Sequence, residues 1–257
     1  PLMTNSEILA VSKILLESRA FTKEEMSGIL NKLVAGCVPL ENIKLVSALV
    51  SNELFHYVEL THPVGIQDKL WEIGCDIQQH HLMRIRYQRQ GADAASAVER
   101  IVEPVSILFS EYYFYLNAYI TKENDGKYTR KYDYPAIFRI DRIADYKIME
   151  QTFSLPYASR FQEGEFRKRV QFMYPGRLQS IRLRYTGSSV EAILDRLPTA
   201  KIVSQDANGY LVEAEIYGNG IVMWLLSQGN RVEVLAPQTL REEMFRVLTA
   251  MLERYQP

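Results

Sequence analysis

The residues best suited to hold a ligand lie in the segment EYYFYLNAYI, from Glu111 to Ile120, which contains four tyrosines. Alternate side chains of a strand point to opposite faces. One face of this predicted strand would carry the core residues Phe114, Leu116, Ala118 and Ile120, and the other would carry Tyr113, Tyr115, Asn117 and Tyr119. Because a phenol ring can stack on a planar ligand while its hydroxyl makes a hydrogen bond, the second face predicts a binding surface. The alternative is that these tyrosines simply fill a half-buried strand, which their strand propensity favours equally.

Arginines on two other predicted strands could add positive charge to this surface. The same alternation in LMRIRYQR directs Met83, Ile85 and Tyr87 inward and leaves Arg84 and Arg86 outside. In AIFRIDRI it separates Phe138 and Ile140 from Arg139 and Asp141. Arginine binds phosphate oxygens with two parallel hydrogen bonds and aromatic rings stack on bases, so the pattern predicts a ligand with a phosphate and a base. A solvated strand face, or a pair with a carboxylate such as Asp141, explains each arginine as well.

The sequence offers no support for catalysis or for a bound metal or cofactor. His80 and His81 are adjacent and would point in different directions, and His56 and His62 have no carboxylate at metal-ligand spacing. Motifs for a nucleophilic serine, a phosphate-binding loop or a dinucleotide are missing. We therefore predict a protein that is not an enzyme.

Composition favours a soluble, cytoplasmic globule. The 257 residues are 47% hydrophobic and 24% charged, and no apolar run approaches the roughly 18 residues that span a bilayer. The net charge of -1 gives no overall attraction to nucleic acid. One segment is basic, with seven arginines and lysines from Arg160 to Arg184 against Glu163 and Glu165. It is a candidate second contact for a phosphate chain, or else a solvated linker.

The chain divides into three predicted regions of an α+β protein. Residues 1–66 read as helices, opened by the capping boxes TNSE at Thr4 and TKEE at Thr22 and ended by HPVG from His62. Residues 67–152 begin with one amphipathic helix and continue as five short strands joined by turns such as QGADAA, which suggests a small, bent sheet or barrel. Residues 153–257 follow the order βαββαβ plus a closing helix, which is typical of a ferredoxin-like sandwich.

The ordered motifs RIRYQ, EPVSILFSEYYFYLNAY, FRIDRI and MWLLSQGNRVEVLAP resemble those of the WYL-domain transcriptional regulators of bacteria. The name-giving Trp-Tyr-Leu corresponds to Phe114, Tyr115 and Leu116, with phenylalanine in place of tryptophan. This resemblance covers roughly residues 67–257. It implies an Sm-like or SH3-like β-barrel that senses a ligand, followed by the C-terminal extension domain of the family.

The resemblance also implies a site and partners. By position, Tyr115, Arg139 and Arg142 match residues that contact ligand in the family, and Tyr87 matches a recurrent aromatic at the end of the first barrel strand. Family members are dimers that bind operator DNA through an N-terminal domain and are thought to bind nucleotides or single-stranded nucleic acid. Because the chain opens PLMTNSEIL without a methionine, we expect that DNA-binding domain to be missing from it. We predict the sensing part of such a regulator; the alternative is a direct, Sm-like RNA-binding module.

Overall fold

The computed structural model describes residues 3–61, 64–88, 97–155 and 161–256. His62 of the predicted break, the predicted turn QGADAA and Arg160 lie outside these residues. The chain forms two compact units, one of Pro1–Leu116 with Phe138–Thr152 and one of Asn117–Ile137 with Phe153–Pro257. None of the helices in the described ranges is both long enough and apolar enough to cross a membrane.

Three helices open the first unit: α1 (Asn5–Ser18), α2 (Lys23–Cys37) and α3 (Ile43–Phe55). Both predicted capping boxes are confirmed: Thr4 and Glu7 close one around the start of α1, and Thr22 and Glu25 close the other around the start of α2. The apolar faces of the three helices form two small cores. These cores contain Leu16, Met26, Leu30, Val50 and Tyr57 in one and Ile8, Val34, Val38 and Val46 in the other.

A fourth helix, α4 (Gln67–Gln79), precedes an antiparallel sheet. Its strands are β1 (His81–Tyr87), β2 (Val98–Ser110), β3 (Tyr113–Asn124), β4 (Lys127–Arg130), β5 (Ala136–Arg139) and β6 (Ile143–Thr152). They lie in the order β4-β3-β2-β1-β6, and β5 pairs with β3. The predicted closed barrel is not seen: among the described residues no strand pairing joins β4 to β6, so the sheet stays open. Sequence pattern does not predict β4, which is too short to distinguish from a turn.

Alternation along β1 agrees with the prediction. Met83 and Ile85 are completely buried, whereas Arg84 and Arg86 are exposed. Phe138 and Ile140 are likewise buried. In β3 the agreement is partial, because Leu116 and Ala118 are buried as predicted but Asn117 between them is fully buried too. This part of β3 is therefore covered on both faces.

The second unit contains α5 (Glu163–Arg169), β7 (Leu178–Tyr185), α6 (Glu191–Arg196), β8 (Lys201–Asp206), β9 (Gly209–Tyr217), α7 (Ile221–Ser227), β10 (Val232–Ala236) and α8 (Gln238–Tyr255). Four strands of this unit form an antiparallel sheet in the order β10-β7-β9-β8. A single core includes Leu183, Ile216 and Leu225. The two tryptophans of the protein differ in environment: Trp224 lies in this core, whereas Trp71 on α4 of the first unit is 75% exposed.

Candidate functional site

The first unit brings together the predicted arginine and tyrosines. Arg139 is the last residue of β5, and its guanidinium carbon lies 3.3 Å from the centroid of the Tyr113 ring. Its backbone N–H donates to the hydroxyl of Tyr87 over 3.3 Å. The stacked guanidinium is a cation–π contact, which holds the charge against an apolar surface. We call Tyr87, Tyr113, Tyr115, Arg139 and Asp141 the tyrosine–arginine cluster.

Asp141 binds the guanidinium of Arg139 with two parallel hydrogen bonds. Nε donates to Oδ1 over 3.1 Å and Nη2 donates to Oδ2 over 2.5 Å. A 3₁₀-helical turn, Ile140–Arg142, follows β5 directly. Because this turn bends the backbone between Arg139 and Asp141, the two side chains can meet. Both side chains are only 19% exposed. Of the two open explanations for Arg139, the carboxylate pair is the one present in this structure.

Tyr115 completes the cluster as a neutral hydrogen-bonding group. Burial raises the pKa of its phenol to about 12; the charge of Arg139 opposes this shift, whereas nearby Tyr113 and Asp141 add to it. The rings of Tyr113 and Tyr115 meet edge to face, with centroids 6.4 Å apart. Burial is the largest single influence on Arg139 and disfavours its charge, but the hydrogen bonds that Arg139 donates to Asp141 and the charge of Asp141, with smaller contributions from Tyr113 and Tyr115, together raise the pKa of the guanidinium. At neutral pH the cluster therefore offers the cation of Arg139 beside the protonated phenol of Tyr115.

A cleft in the first unit adjoins the cluster. Its lining combines the loop before α2, the segment before α4 and the start of β3 with two cluster residues, and comprises Arg19, Ala20, Phe21, Thr22, Leu60, Val64, Ile66, Tyr112, Tyr113, Phe114 and Asp141. Phe114 packs against Phe21, with centroids 5.8 Å apart. Arg19 donates from Nε to the carbonyl of Val58 over 2.7 Å and lies 5.3 Å from the Tyr112 ring centroid. We call this the helical cleft.

Sequence reasoning misses the helical side of this cleft. Arg19 and Phe21 lie in a stretch that reads as linker, and about ninety residues separate them from Tyr112. No local pattern connects such distant positions. The one available signal is the capping box at Thr22, which fixes the loop that carries both residues.

The other predicted site residues lie elsewhere. Arg84 and Arg86 project from the face of β1 opposite to Tyr87, and Arg84 pairs with Glu99 over 3.2 Å. Arg142 is half-buried, and its carbonyl accepts from the backbone N–H of Gln88. Asn117 is completely buried and has no surface to offer a ligand in this structure.

The basic segment is neutralised in the second unit. Among its described residues, Lys168 and Arg169 both pair with Glu165, and Arg169 also reaches Glu215 over 2.8 Å. The remaining pairs are Arg177 with Asp133, Arg182 with Glu213 and Arg184 with Asp206. The carboxylates on β8 and β9 are distant in sequence, which is why the segment looks more cationic in sequence than it is in the fold. Within the described ranges, no three His, Cys, Asp or Glu side chains come together as metal ligands would.

Comparison with known proteins assigns the family. The WYL domain model matches residues 76–148 and the WCX domain model matches residues 177–252. The chain thus belongs to the WYL-domain family and carries a WCX domain after the WYL domain. The WYL match, residues 76–148, contains the whole tyrosine–arginine cluster.

Two solved structures show distant likeness. Proteasome accessory factor B/C (PafBC) of Arthrobacter aurescens is 18% identical over 99% of this chain, which covers 37% of that protein, at a TM-score of 0.39. A CRISPR Cas-related protein is 16% identical over 88% of this chain, which covers 61% of that protein, at a TM-score of 0.45. The chain therefore spans less than two thirds of either one. Comparison with curated proteins gives no match.

Proposed function

We propose that the first unit senses a nucleotide or a single-stranded nucleic acid and thereby controls an N-terminal DNA-binding domain. The observation that carries this proposal is the stack of Arg139 on Tyr113 beside the neutral phenol of Tyr115. A guanidinium binds phosphate oxygens, and tyrosine rings stack on bases irrespective of their sequence. The cluster supplies both kinds of contact in one place.

Partial burial makes these contacts stronger than they would be on an open surface. Arg139 is 19% exposed, so its charge is screened less by water than that of an exposed arginine. Tyr112, which is 38% exposed at the mouth of the helical cleft, offers a further ring. A ligand phosphate at Arg139 and a base towards Tyr112 would use the cluster and the cleft together.

The mouth of the helical cleft brings the proposed ligand site close to the helices. The cleft itself holds only about 20 Å³, room for about one water molecule, so a nucleotide would not enter it. A ligand at its mouth, beside Tyr112, would lie next to the segment between α1 and α2 that carries Arg19 and Phe21. It would regulate only if it bound one arrangement of that region more tightly than another, because equal affinity for both shifts no population. We assign residues 1–66 as the helical linker, 67–152 as the sensor and 153–257 as the extension domain, in a cytoplasmic homodimer.

Two finer features of the fold belong to the same proposal. The strand order β4-β3-β2-β1-β6, with register shifts between β1 and β6, supports an Sm-like or SH3-like arrangement that is open between β4 and β6. The strand order β10-β7-β9-β8, together with the alternation of strands and helices, supports a ferredoxin-like WCX domain.

A direct RNA-binding module is the second candidate, and one observation favours it. In the second unit, the guanidinium of Arg130 on β4 lies 3.8 Å from the centroid of the Tyr119 ring. Exposed Lys127 and Lys131 flank it, and Lys131 lies 5.1 Å from the ring of Tyr132. Cations interleaved with aromatic rings suit the stacking of single-stranded nucleic acid.

Alanine substitution at the cluster tests the sensor proposal. We expect Arg139→Ala and Tyr115→Ala each to weaken binding of a short, fluorescein-labelled single-stranded DNA oligonucleotide, measured by fluorescence anisotropy. The loss for Arg139→Ala should be at least about tenfold, since truncating a buried charged contact costs about 2 kcal/mol or more. The affinity of Arg139→Lys should lie between those of Arg139→Ala and the unmodified chain, because lysine keeps the charge but cannot make two parallel hydrogen bonds.

Arg84→Ala is the matched control, since it removes an exposed arginine from the opposite face of β1. It should bind the oligonucleotide as the unmodified chain does. If folded Arg139→Ala and Tyr115→Ala both keep full affinity, the cluster is not the binding site.

A further inference from the structure

Asp141 occupies the position on Arg139 that a ligand phosphate needs. Two of the five N–H groups of the guanidinium donate to its carboxylate, from Nε and Nη2. A carboxylate and a phosphate present their oxygens to arginine in the same forked geometry. The protein therefore already holds an anion where the proposed ligand would place one.

The surroundings of this pair make the internal anion a strong competitor. Both side chains are 19% exposed, and Asp141 lies only two residues from Arg139 across a 3₁₀-helical turn, so its local concentration is high. The pair is neutral as a whole, which removes most of the attraction that Arg139 alone would exert on an anion. An anion that offers nothing beyond charge gains little by replacing Asp141.

A nucleotide offers more than charge. Its base can stack on the exposed ring of Tyr112 or an edge of the tyrosine–arginine cluster, and such stacking contributes about 1–3 kcal/mol per base. That contribution can offset the loss of the Arg139–Asp141 hydrogen bonds. Because the release of Asp141 costs every anion the same, it lowers all affinities by one factor, and only a ligand that adds a stacking ring to its phosphate still binds measurably.

We propose that Asp141 is a specificity-determining residue that acts as an internal competitor for the phosphate subsite of Arg139. It excludes inorganic phosphate and other simple anions and admits ligands that carry both a phosphate and a base. This inference rests on the proposed nucleotide-sensing function of the cluster. Because Asp141 also lines the helical cleft with Arg19, its release from Arg139 places a free carboxylate beside the loop between α1 and α2.

The test replaces Asp141 by asparagine, which keeps the size of the side chain and removes its charge. We expect Asp141→Asn to bind the labelled single-stranded oligonucleotide about tenfold more tightly than the unmodified chain. Inorganic phosphate, added as a competitor, should displace the oligonucleotide from Asp141→Asn at concentrations that leave the unmodified complex intact. Asp141→Ser should behave in the same way and serves if the asparagine variant does not fold.

Asp206→Asn is the matched control, because Asp206 also pairs with an arginine, Arg184, with both oxygens 3.3 Å from its Nη1. It removes the same charge from the second unit and should bind as the unmodified chain does. A control that gains affinity equally would mean that Asp141 acts only through net charge, and the proposal would fall.

The remaining outcomes separate this inference from the proposed function. If Arg139→Ala loses binding but Asp141→Asn and Asp141→Ser bind equally or more weakly than the unmodified chain, Asp141 positions Arg139 and does not compete, while the sensing function stands. If neither the unmodified chain nor the Asp141 variants bind the oligonucleotide, both proposals fail. If the Asp141 variants bind the oligonucleotide and the unmodified chain does not, Asp141 blocks the phosphate subsite of Arg139 completely, which supports the proposal.

Discussion

Two carboxylates of the first unit show how differently a buried charge can be accommodated. Asp141 is paired by two hydrogen bonds with a guanidinium that is always charged. Asp76, on α4, is only 1% exposed, and Nδ1 of His81 lies 3.2 Å from its Oδ1. Burial raises the pKa of Asp76, and His81 opposes this shift only in part. Folding therefore disfavours the ionised form of Asp76 relative to the unfolded chain.

This arrangement predicts a pH-dependent stability that Asp76→Asn removes. The pKa of Asp76 is higher in the folded protein than its ordinary value of 3.8, so the folded state holds the proton more tightly. Its contribution to the free energy of unfolding is fully present below about pH 4 and is lost as the pH rises. Asp76→Asn should therefore gain stability relative to the unmodified chain between pH 4 and pH 7, as measured by urea unfolding followed by circular dichroism.

Asp145→Asn is the control for this comparison, because it removes an exposed carboxylate from β6 of the same unit. Its difference from the unmodified chain should stay nearly constant over the same pH range. An Asp76→Asn protein that is less stable than the unmodified chain at pH 7 would contradict the prediction and would show that the His81 contact outweighs burial.

At the scale of elements, the two capping boxes look alike but are connected differently. Among the described residues, the carboxylate of Glu7 accepts only from the backbone N–H and the hydroxyl of Thr4, at the start of α1. Glu25 caps α2 through Thr22 and, in addition, its Oε1 accepts from the backbone N–H of Ile66 over 3.2 Å. One carboxylate therefore fixes both the start of α2 and the segment before α4. These two places form part of the helical cleft.

The additional hydrogen bond from Ile66 to Glu25 predicts that alanine destabilises the protein more at Glu25 than at Glu7. Glu7→Ala should lower the free energy of unfolding by about 1 kcal/mol or less, which is the usual cost of losing a cap. Glu25→Ala should cost roughly 0.5–1.5 kcal/mol more, because it also leaves the N–H of Ile66 without its acceptor. Urea unfolding measures the total effect, and faster amide hydrogen exchange at Ile66 in Glu25→Ala alone would locate it. Equal costs for the two variants would show that the Ile66 contact contributes nothing.

At the scale of the whole molecule, the net charge of -1 gives no overall attraction to nucleic acid. The salt dependence of binding therefore reports local phosphate contacts, and it separates the two candidate functions. A sensor that engages a phosphate through Arg139 releases few counterions, whereas an RNA-binding module needs many phosphate contacts. For single strands the logarithm of the binding constant falls with the logarithm of salt concentration by about 0.7 per phosphate contact. We expect a slope of about -1 for the oligonucleotide.

Arg130→Ala supplies the internal comparison for this slope. It should leave the salt dependence unchanged if Arg139 holds the phosphate, and it should flatten the dependence if the Arg130–Tyr119 stack is the binding surface. A slope of about -3 or steeper, reduced in Arg130→Ala, would favour the RNA-binding module over the sensor.

What the sequence predicts correctly depends on local patterns. Strand alternation places Met83 and Arg84 on their correct faces, and the capping boxes at Thr4 and Thr22 start their helices as predicted. Alternation does not predict that Tyr113 and Arg139 meet; they do so because β5 pairs with β3. The role of Tyr115 and Arg139 in ligand binding, which the family resemblance indicates, stays a prediction.

What escapes prediction depends on contacts between distant parts of the chain. Asn117 is buried because β3 is covered on both faces, which alternation alone does not reveal. The arginines of the basic segment meet Glu213, Glu215 and Asp206 only once β7, β8 and β9 pair. Sheet closure likewise depends on whether terminal strands meet, and no property of β4 or β6 alone decides it. The pairing of Arg139 with Asp141 is only partly predictable from sequence. Their spacing of two residues permits the pair, but it forms because a 3₁₀-helical turn follows β5.

The placement of the two tryptophans gives each unit its own optical behaviour. Trp71 is already surrounded by water in the native state, so its emission should change little when the first unit melts. Trp224 leaves an apolar interior when the second unit melts, so the intrinsic fluorescence of the chain follows the WCX domain almost alone. Damage to the WYL domain would change that signal very little, so a normal fluorescence melting curve does not show that the WYL domain is folded.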